Sequence, residues 1–196
     1  MKKSILLAFV FYGLVCSNNQ NLFNAITVSA INVASGGSAS GWDTTIEQNS
    51  MNQEEAIQNF QNMYLESAKN GNNPKNFLNK NGSNLASVAA LRGKLEILQF
   101  LIGQDVSVAP DIVNNNGYNA LMQACSYGQN LCVEYLLILP EYQIRQALEK
   151  TNNDNKTALQ LAKEYYDIVK DSNRQLLIDR GKSTISALNN ALGNAS

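Results

Sequence analysis

The sequence contains no histidine, and this absence excludes several kinds of catalytic and metal site. A chain without histidine cannot form a Ser-His-Asp triad, a Cys-His pair or an imidazole metal ligand. Its carboxylates share no motif and no glycine-rich cradle, so no acid–base pair for hydrolysis is apparent. We therefore expect a non-enzymatic protein with no metal and no cofactor.

The chain also lacks an excess of basic residues. Lys and Arg number 15 against 16 Asp and Glu, which gives a formal net charge of −1. No basic stripe is available to follow a phosphate backbone, so nucleic acid is not an expected partner. The 196 residues are 44% hydrophobic and 16% charged, a composition typical of one soluble globular domain with tails.

Residues 1–17 have the pattern of a secretory signal peptide. Lys2 and Lys3 form a cationic start, residues 5–15 are apolar, and small residues follow up to Ser17. This pattern predicts cleavage after Ser17 and a periplasmic or secreted protein. Eleven apolar residues are too few to cross a bilayer, which needs about 20 helical residues. We therefore expect no transmembrane span in the mature chain.

Three alternatives for this segment stay open. It could be an ordinary apolar N-terminal helix, or a lipoprotein signal in which Cys16 is acylated. Val15 stands where bacterial lipoprotein signals carry a small residue, so a lipid anchor at Cys16 is the weaker expectation. If the source is an intracellular bacterium, delivery into a host cell is the alternative destination.

Residues 18–50 are rich in Asn, Ser, Gly and Ala, and residues 36–41 have the composition of a flexible linker. The alternative is a short recognition segment that orders on binding. The apolar residues from Phe23 to Val33 follow a mostly strand-like alternation, and Trp42 is the only tryptophan.

From residue 80 onward the sequence repeats itself at an interval of 35 residues. Each unit has an Asn-Gly turn, a short helix with small residues on one face, a glycine break and a bulkier helix. A third copy begins at Asn153, after three extra residues between positions 140 and 151. The aligned residues are Asn81-Gly82, Ala89-Ala90, Gly93 and Phe100-Leu101 with Asn116-Gly117, Ala124-Cys125, Gly128 and Tyr135-Leu136.

On residues 81–93, 116–128 and 154–162 the chain resembles the ankyrin repeat family. The last of these stretches, with Lys156-Thr157-Ala158-Leu159-Gln160-Leu161-Ala162, is the most specific. The resemblance implies an all-α fold, a stack of about three helical hairpins (an α-solenoid) that binds other proteins. Gln123 departs from the pattern because the family buries a leucine there.

Helices are expected to cap the stack at both ends, so the predicted repeats and C-terminal cap span residues 80–192. Residues 51–79 form the N-terminal capping region, with helical spacing from Met51 to Gly71. The second helix of that unit is therefore expected either to be shortened to residues 74–78 or to be missing. At the other end, residues 174–179 are predicted as the last second helix, followed by a closing cap around Ile185, Leu188 and Leu192.

Cys125 and Cys132 lie on either side of the Gly128 turn. A disulfide requires their Cα atoms to come within about 7 Å, and the alternative is that both thiols fill small buried positions. Their spacing is not Cys-x-x-Cys, which disfavours a redox site.

The family geometry implies a binding surface made of turn tips and the exposed ends of the first helices. Arg92, Tyr127 and Tyr165 occupy the same position in three copies, and Arg and Tyr are common binding hot spots. The alternative is that these side chains only cover helix ends. The predicted protein-binding residues are Lys80, Ser83, Leu91, Arg92, Asn115, Tyr118, Ser126, Tyr127, Asn153, Lys156, Glu164 and Tyr165.

The sequence thus predicts an exported protein-binding module whose partner it does not identify. Two functional alternatives remain, a redox or stress-accessory protein that uses Cys125 and Cys132, and a secreted bacterial effector acting in a host cell. A third is a spacer that binds nothing.

Overall fold

A computed structural model describes residues 53–109, 112–139 and 141–194. The expectations for the signal peptide, for Cys16 and for the linker with Trp42 lie outside these residues. Within them the chain forms helices and no strand, which confirms the all-α expectation.

The described ranges contain eight α-helices and one 3₁₀ turn. The helices are α1 Gln53–Lys69, α2 Leu85–Leu91, α3 Leu95–Gly103, α4 Ala120–Ser126, α5 Asn130–Leu137, α6 Glu141–Glu149, α7 Ala158–Val169 and α8 Gln175–Asn194, and the 3₁₀ turn is Pro74–Asn76.

The helices are arranged in two rows. Helices α2, α4 and α7 pack side by side as an inner row, and α1, α3, α5 and α8 pack in sequence as an outer row. Each inner helix also packs on the outer helix that follows it in the chain, so α2 pairs with α3, α4 with α5 and α7 with α8. The predicted stack of hairpins is therefore present.

Each inner helix begins after a polar capping residue, and small side chains are buried in all three. Asn84 Oδ1 accepts a hydrogen bond from the Ser87 amide at 2.8 Å, and Asn119 Oδ1 accepts one from Met122 at 2.9 Å. Thr157 forms the equivalent capping box with Gln160. These caps satisfy amides that the first turn of a helix leaves unpaired. The fully buried alanines then let neighbouring helices approach closely.

An aromatic cluster joins α1 to α3. The rings of Phe60 and Tyr64 meet Phe100 edge to face, with centroids 6.2 and 5.4 Å apart. Both α1 side chains are buried. This contact fixes α1 at the N-terminal end of the outer row.

The position of α1 corrects the expected assignment of its unit. The sequence predicts that residues 53–69 form a first helix followed by a second helix that is shortened to residues 74–78 or missing, but α1 itself occupies the second-helix row. Gly71 after α1 and Asp105 after α3 both have positive φ, 82° and 57°, and thus end equivalent helices. Pro74–Asn76 is one 3₁₀ turn in the connection to α2.

Two further elements differ from expectation. The predicted helix at 174–179 and the closing cap are one continuous helix, the 20-residue α8. Gly181 does not interrupt it, because this buried glycine lies where Tyr166 of α7 packs against α8. The extra residues before the third copy form part of α6, which buries Ala147 and Leu148.

Candidate protein-binding surface

An asparagine side chain shapes the turn before each inner helix. Asn114 Oδ1 accepts hydrogen bonds from the amides of Asn116 and Tyr118, both at 3.0 Å. Asn79 and Asn152 do the same, each with the amides two and four residues later in the chain. Such an Asn turn mimics a backbone turn and favours a left-handed residue at its tip. That residue is Gly82, Gly117 or Asn155, with φ of 76°, 78° and 59°.

The turns are linked to one another by main-chain and side-chain amides, a set we call the turn ladder (Asn81, Asn115, Asn116 and Asn153). The Asn115 amide donates to the Asn81 carbonyl at 2.9 Å, and the Asn153 amide donates to the Asn116 carbonyl at 3.1 Å. Asn115 Nδ2 donates to the Lys80 carbonyl at 3.3 Å, and Asn153 Nδ2 donates to the Asn115 carbonyl at 3.0 Å. The predicted binding residues Asn115 and Asn153 therefore use their side-chain amides to hold adjacent copies together.

The prediction that Ser83 is a surface binding residue is wrong. It is only 5% exposed, and its Oγ accepts a hydrogen bond from Gln123 Nε2 at 3.2 Å. The reason lies in Gln123, which replaces an apolar residue at the boundary between two copies and needs a polar partner when buried. Ser83 supplies that partner.

Other predicted binding residues are partly engaged in the fold. Leu91 is half-buried, and Tyr118 is half-buried against the core. Ser126 Oγ donates to the Gln123 carbonyl at 3.1 Å. Lys80 remains exposed at a turn tip.

Lys156 and Glu164 form an ion pair, with Nζ 2.7 Å from Oε1. This contact raises the pKa of Lys156, chiefly through the hydrogen bond to Glu164. Both side chains are solvent-accessible, so the pair adds little stability. Its charges stay together on the surface of the third copy.

Three residues that occupy the same position in successive copies differ in their exposure. They are Arg92, Tyr127 and Tyr165. Arg92 is exposed and Tyr127 is 55% exposed, and each stands at the C-terminal end of its inner helix. Tyr165 is half-buried inside the longer α7, where its ring lies against Gly128. A side chain at position 128 would overlap this ring. Burial raises the pKa of Tyr165, and Arg180 opposes that effect.

Sequence reasoning missed a group of exposed apolar residues near the same ends. Inner helices end and outer helices begin along one edge of the stack, which we call the helix-turn edge. It carries four large apolar or aromatic side chains that are more than half exposed, together with Arg92. These residues are Tyr127 (55%), Leu131 (57%), Ile168 (79%) and Leu176 (63%).

The two cysteines are free and buried, so the disulfide interpretation is wrong and the packing alternative is what the structure has. Burial raises the pKa of Cys125 far above its usual range. Burial and Glu96 raise the pKa of Cys132 to about 12, against the opposing effect of Lys94. Neither thiol is thus available as a thiolate near neutral pH.

Lys94 is a buried lysine that the sequence reasoning did not single out. It is 5% exposed at the start of α3, and burial lowers its pKa while Glu96 and Cys132 oppose that shift.

Two features are absent from the described residues. No group of three or more Cys, Asp or Glu side chains in residues 53–109, 112–139 and 141–194 is placed to hold a metal ion. None of the helices in those ranges combines the length and the hydropathy needed to cross a membrane.

The two helix rows, the repeated caps and the turn ladder define an α-solenoid. Residues 52–146 match the family model described as "Ankyrin repeats (3 copies)", and this chain contains an ankyrin-repeat domain. The third copy inferred from the sequence, with α7 and α8, lies beyond the matched residues. Ankyrin repeats indicate a protein–protein interaction module.

Comparison with curated proteins gives no match. Among solved structures, the chain is similar to "Bd0816 Predatory Endopeptidase from Bdellovibrio bacteriovorus in complex with immunity protein Bd3460". The identity is 16% and the TM-score 0.33, over 69% of this chain and 95% of that chain. A likeness this distant carries no functional argument.

Proposed function

We propose that this chain is an exported, non-enzymatic protein-binding module whose partner contacts the helix-turn edge. The observation that carries this proposal is that four apolar or aromatic side chains of this edge are more than half exposed. The turn ladder uses its amides within the fold. The helix-turn edge instead exposes Tyr127, Leu131, Ile168 and Leu176 beside Arg92.

The chemistry of this edge fits a protein partner. Interfaces are enriched in aromatic residues and Arg, and large exposed apolar patches mark interaction sites. Arg92 supplies a planar cation that hydrogen-bonds carboxylates and carbonyls. The expected partner surface has an apolar centre and an acidic or carbonyl group opposite Arg92.

The two thiols support the non-enzymatic part of the proposal. A thiol–disulfide reaction needs a thiolate that can reach its target. Cys125 and Cys132 are buried, and the raised pKa of each keeps it protonated. This favours a structural role over the redox alternative.

Site-specific crosslinking tests the binding surface. A photo-crosslinking amino acid is placed at position 127 of the full chain in its native host, with position 138 as the control. Ile138 is 77% exposed at the end of α5, away from the helix-turn edge. We expect a specific protein adduct at position 127 and none at 138. Equal adducts at both positions would contradict the proposal.

The captured partner then allows affinity to be measured. Truncating a hot-spot residue costs about 2 kcal/mol, which is roughly a thirtyfold increase in Kd. We expect this loss for Tyr127→Ala or Arg92→Ala, and unchanged affinity for Ile138→Ala. If the Kd is the same in all three variants, the partner binds elsewhere.

The export part of the proposal is supported by the pattern of residues 1–17. We expect the protein isolated from its native host to begin at Asn18, as read by N-terminal sequencing. An N-terminus at Met1 would contradict cleavage, and an acylated Cys16 would favour the lipoprotein alternative.

A further inference from the structure

The last hairpin of the stack is longer than the one before it. Helix α4 follows its capping residue Asn119 and has 7 residues, whereas α7 follows the equivalent cap Thr157 and has 12. The additional residues lengthen the helix by about 7.5 Å, at about 1.5 Å per residue. Helix α7 therefore projects beyond the helix-turn edge of the second copy, and α8 packs alongside it. We call this projecting part, residues 166–176, the overhang.

The face of α7 that meets the second copy continues into the overhang. The ring of Tyr165 lies against Gly128, in the turn that ends the second copy's inner helix. Residues three positions apart share a face of a helix, so Ile168 lies on the same face about one turn further along. Ile168 is thus beyond the reach of α4, and it is 79% exposed.

Helix α8 has the same relation to α5. Ser183 Oγ donates to Glu134 Oε1 at 3.0 Å. Leu176 lies two turns before Ser183 on that face of α8. Because α5 begins at Asn130, about one turn before Glu134, Leu176 lies beyond the first residue of α5. Leu176 is 63% exposed.

A step forms where the overhang meets the ends of the second copy. Its floor is Tyr127 at the end of α4 and Leu131 at the start of α5, and its wall is Ile168 and Leu176. The height of the step, about 7.5 Å, is close to the separation of about 8–10 Å between packed helices. The wall also continues the faces with which α7 and α8 pack on helices of the second copy. The step therefore has the dimensions and the surface to receive one more helix.

Arg92 places a positive charge on the open side of the step. It ends α2, and α4 lies between α2 and α7 in the inner row. Arg92 is exposed, and no ion pair joins it to a residue in 53–109, 112–139 or 141–194. The separation of neighbouring inner helices, about 8–10 Å, corresponds to about seven residues of a helix laid across their ends.

We propose that the step binds one amphipathic α-helix of the partner protein. Apolar residues of that helix pack against the floor and the wall, and an acidic residue about seven positions away pairs with Arg92. A carboxylate is the group that complements an unpaired guanidinium. This inference rests on the proposed binding at the helix-turn edge, and it specifies the partner segment that binds there.

Crosslinking with residue-level mapping tests the inference. A diazirine amino acid is placed in turn at positions 92, 131 and 168 of the full chain in its native host, and position 138 is the exposed control. We expect positions 131 and 168 to link to one peptide of the partner, and position 92 to link about seven residues away in the same peptide.

Other crosslinking results overturn the inference. Links from positions 131 and 168 to separate segments of the partner, to lipid or to a second copy of this chain would each do so. A partner adduct at position 127 without one at position 168 would leave the proposed function intact and remove the step from it. If no edge position forms an adduct, both the inference and the proposed function fail.

The conformation of the bound segment is a second test. The linked peptide is synthesised with a ¹³C label and bound to the full chain. We expect Cα chemical shifts typical of an α-helix over the residues that link to positions 131 and 168. Shifts typical of an extended segment overturn the inference, although binding at the edge would still be present.

Variants of the wall and of Arg92 complete the tests with the same peptide. We expect Ile168→Ala to raise the Kd about tenfold and Ile138→Ala, an equally exposed isoleucine outside the step, to leave it unchanged. Arg92→Glu should weaken binding, and replacing the acidic residue of the peptide by lysine should restore it. A Kd that rises in Tyr127→Ala but not in Ile168→Ala places the peptide on the floor alone and overturns the inference.

Discussion

The buried pair of Ser83 and Gln123 shows how one residue of a repeat sets a requirement on the copy before it. Gln123 carries a polar amide into a boundary that is otherwise apolar, and Ser83 Oγ is its hydrogen-bond partner. Without that hydroxyl, the amide would stay buried and unpaired, which costs more than a hydrogen bond adds.

Replacing Ser83 with Ala should therefore destabilise the chain by about 1–3 kcal/mol. Adding Gln123→Leu in the same chain should recover most of this loss, because both polar partners are then gone and an apolar contact takes their place. Urea unfolding of the single and double variants measures both steps. Ser126→Ala, at a half-buried hydroxyl that also bonds within α4, is the control. A double variant no more stable than Ser83→Ala would show that the hydrogen bond is not the source of the loss.

At the scale of helices, the inner row depends on its capping residues, and two identical caps have different surroundings. Asn84 Nδ2 donates to the Ser107 carbonyl at 2.7 Å. Asn119 Nδ2 is buried and has no hydrogen-bond partner in the described part of the chain. Thr157, the cap of the third copy, has no such amide.

Exchanging each Asn cap for Thr separates these two cases. A threonine keeps the capping oxygen and removes Nδ2. We expect Asn84→Thr to lose about 1 kcal/mol, because the Ser107 carbonyl loses its donor. Asn119→Thr should lose less, or gain stability, in the same thermal or urea unfolding measurement. Equal losses in the two variants would mean that the amides do not matter.

The helices themselves were largely predictable from the sequence. The Asn-Gly turns, the small residues of the first helices and the glycine breaks locate α2 to α5 and α7 because each feature depends on local backbone chemistry. The row of α1 was not predictable in this way, since it depends on the long-range contact of Phe60 and Tyr64 with Phe100. The candidate site was only partly predictable for the same reason. Ser83 is buried because Gln123 of the next copy bonds to it. Tyr165 is half-buried because its ring packs against Gly128 of the preceding copy.

For the whole molecule, the buried thiols make stability depend on pH in the alkaline range. The pKa of Cys132 rises from its ordinary value of 9.0 to about 12 in the folded chain. The unfolded chain therefore releases its proton first as the pH increases. The stability that follows from this difference is complete below pH 9 and is lost as the pH rises towards 12.

We expect the urea midpoint to fall between pH 8 and pH 11. The fall should be smaller in Cys132→Val, which keeps an apolar side chain of similar size and has no ionisable proton. Ser126→Ala removes a hydroxyl that does not ionise in this pH range and is the control that should not change the pH dependence. An identical slope in Cys132→Val and the wild type would assign the alkaline loss to other groups.

The turn ladder also affects how the chain ages chemically. Asn-Gly pairs deamidate when the glycine amide nitrogen attacks the asparagine side chain, and the chain has such pairs at Asn81-Gly82 and Asn116-Gly117. In the folded turns the Gly82 and Gly117 amides donate to the Asn79 and Asn114 carbonyls, both at 2.9 Å. These bonds hold the attacking nitrogens in place and slow the reaction. Unfolded molecules lack these hydrogen bonds, so isoaspartate should form mainly in the unfolded population. The rate of chemical ageing then depends on the fraction of molecules that is unfolded.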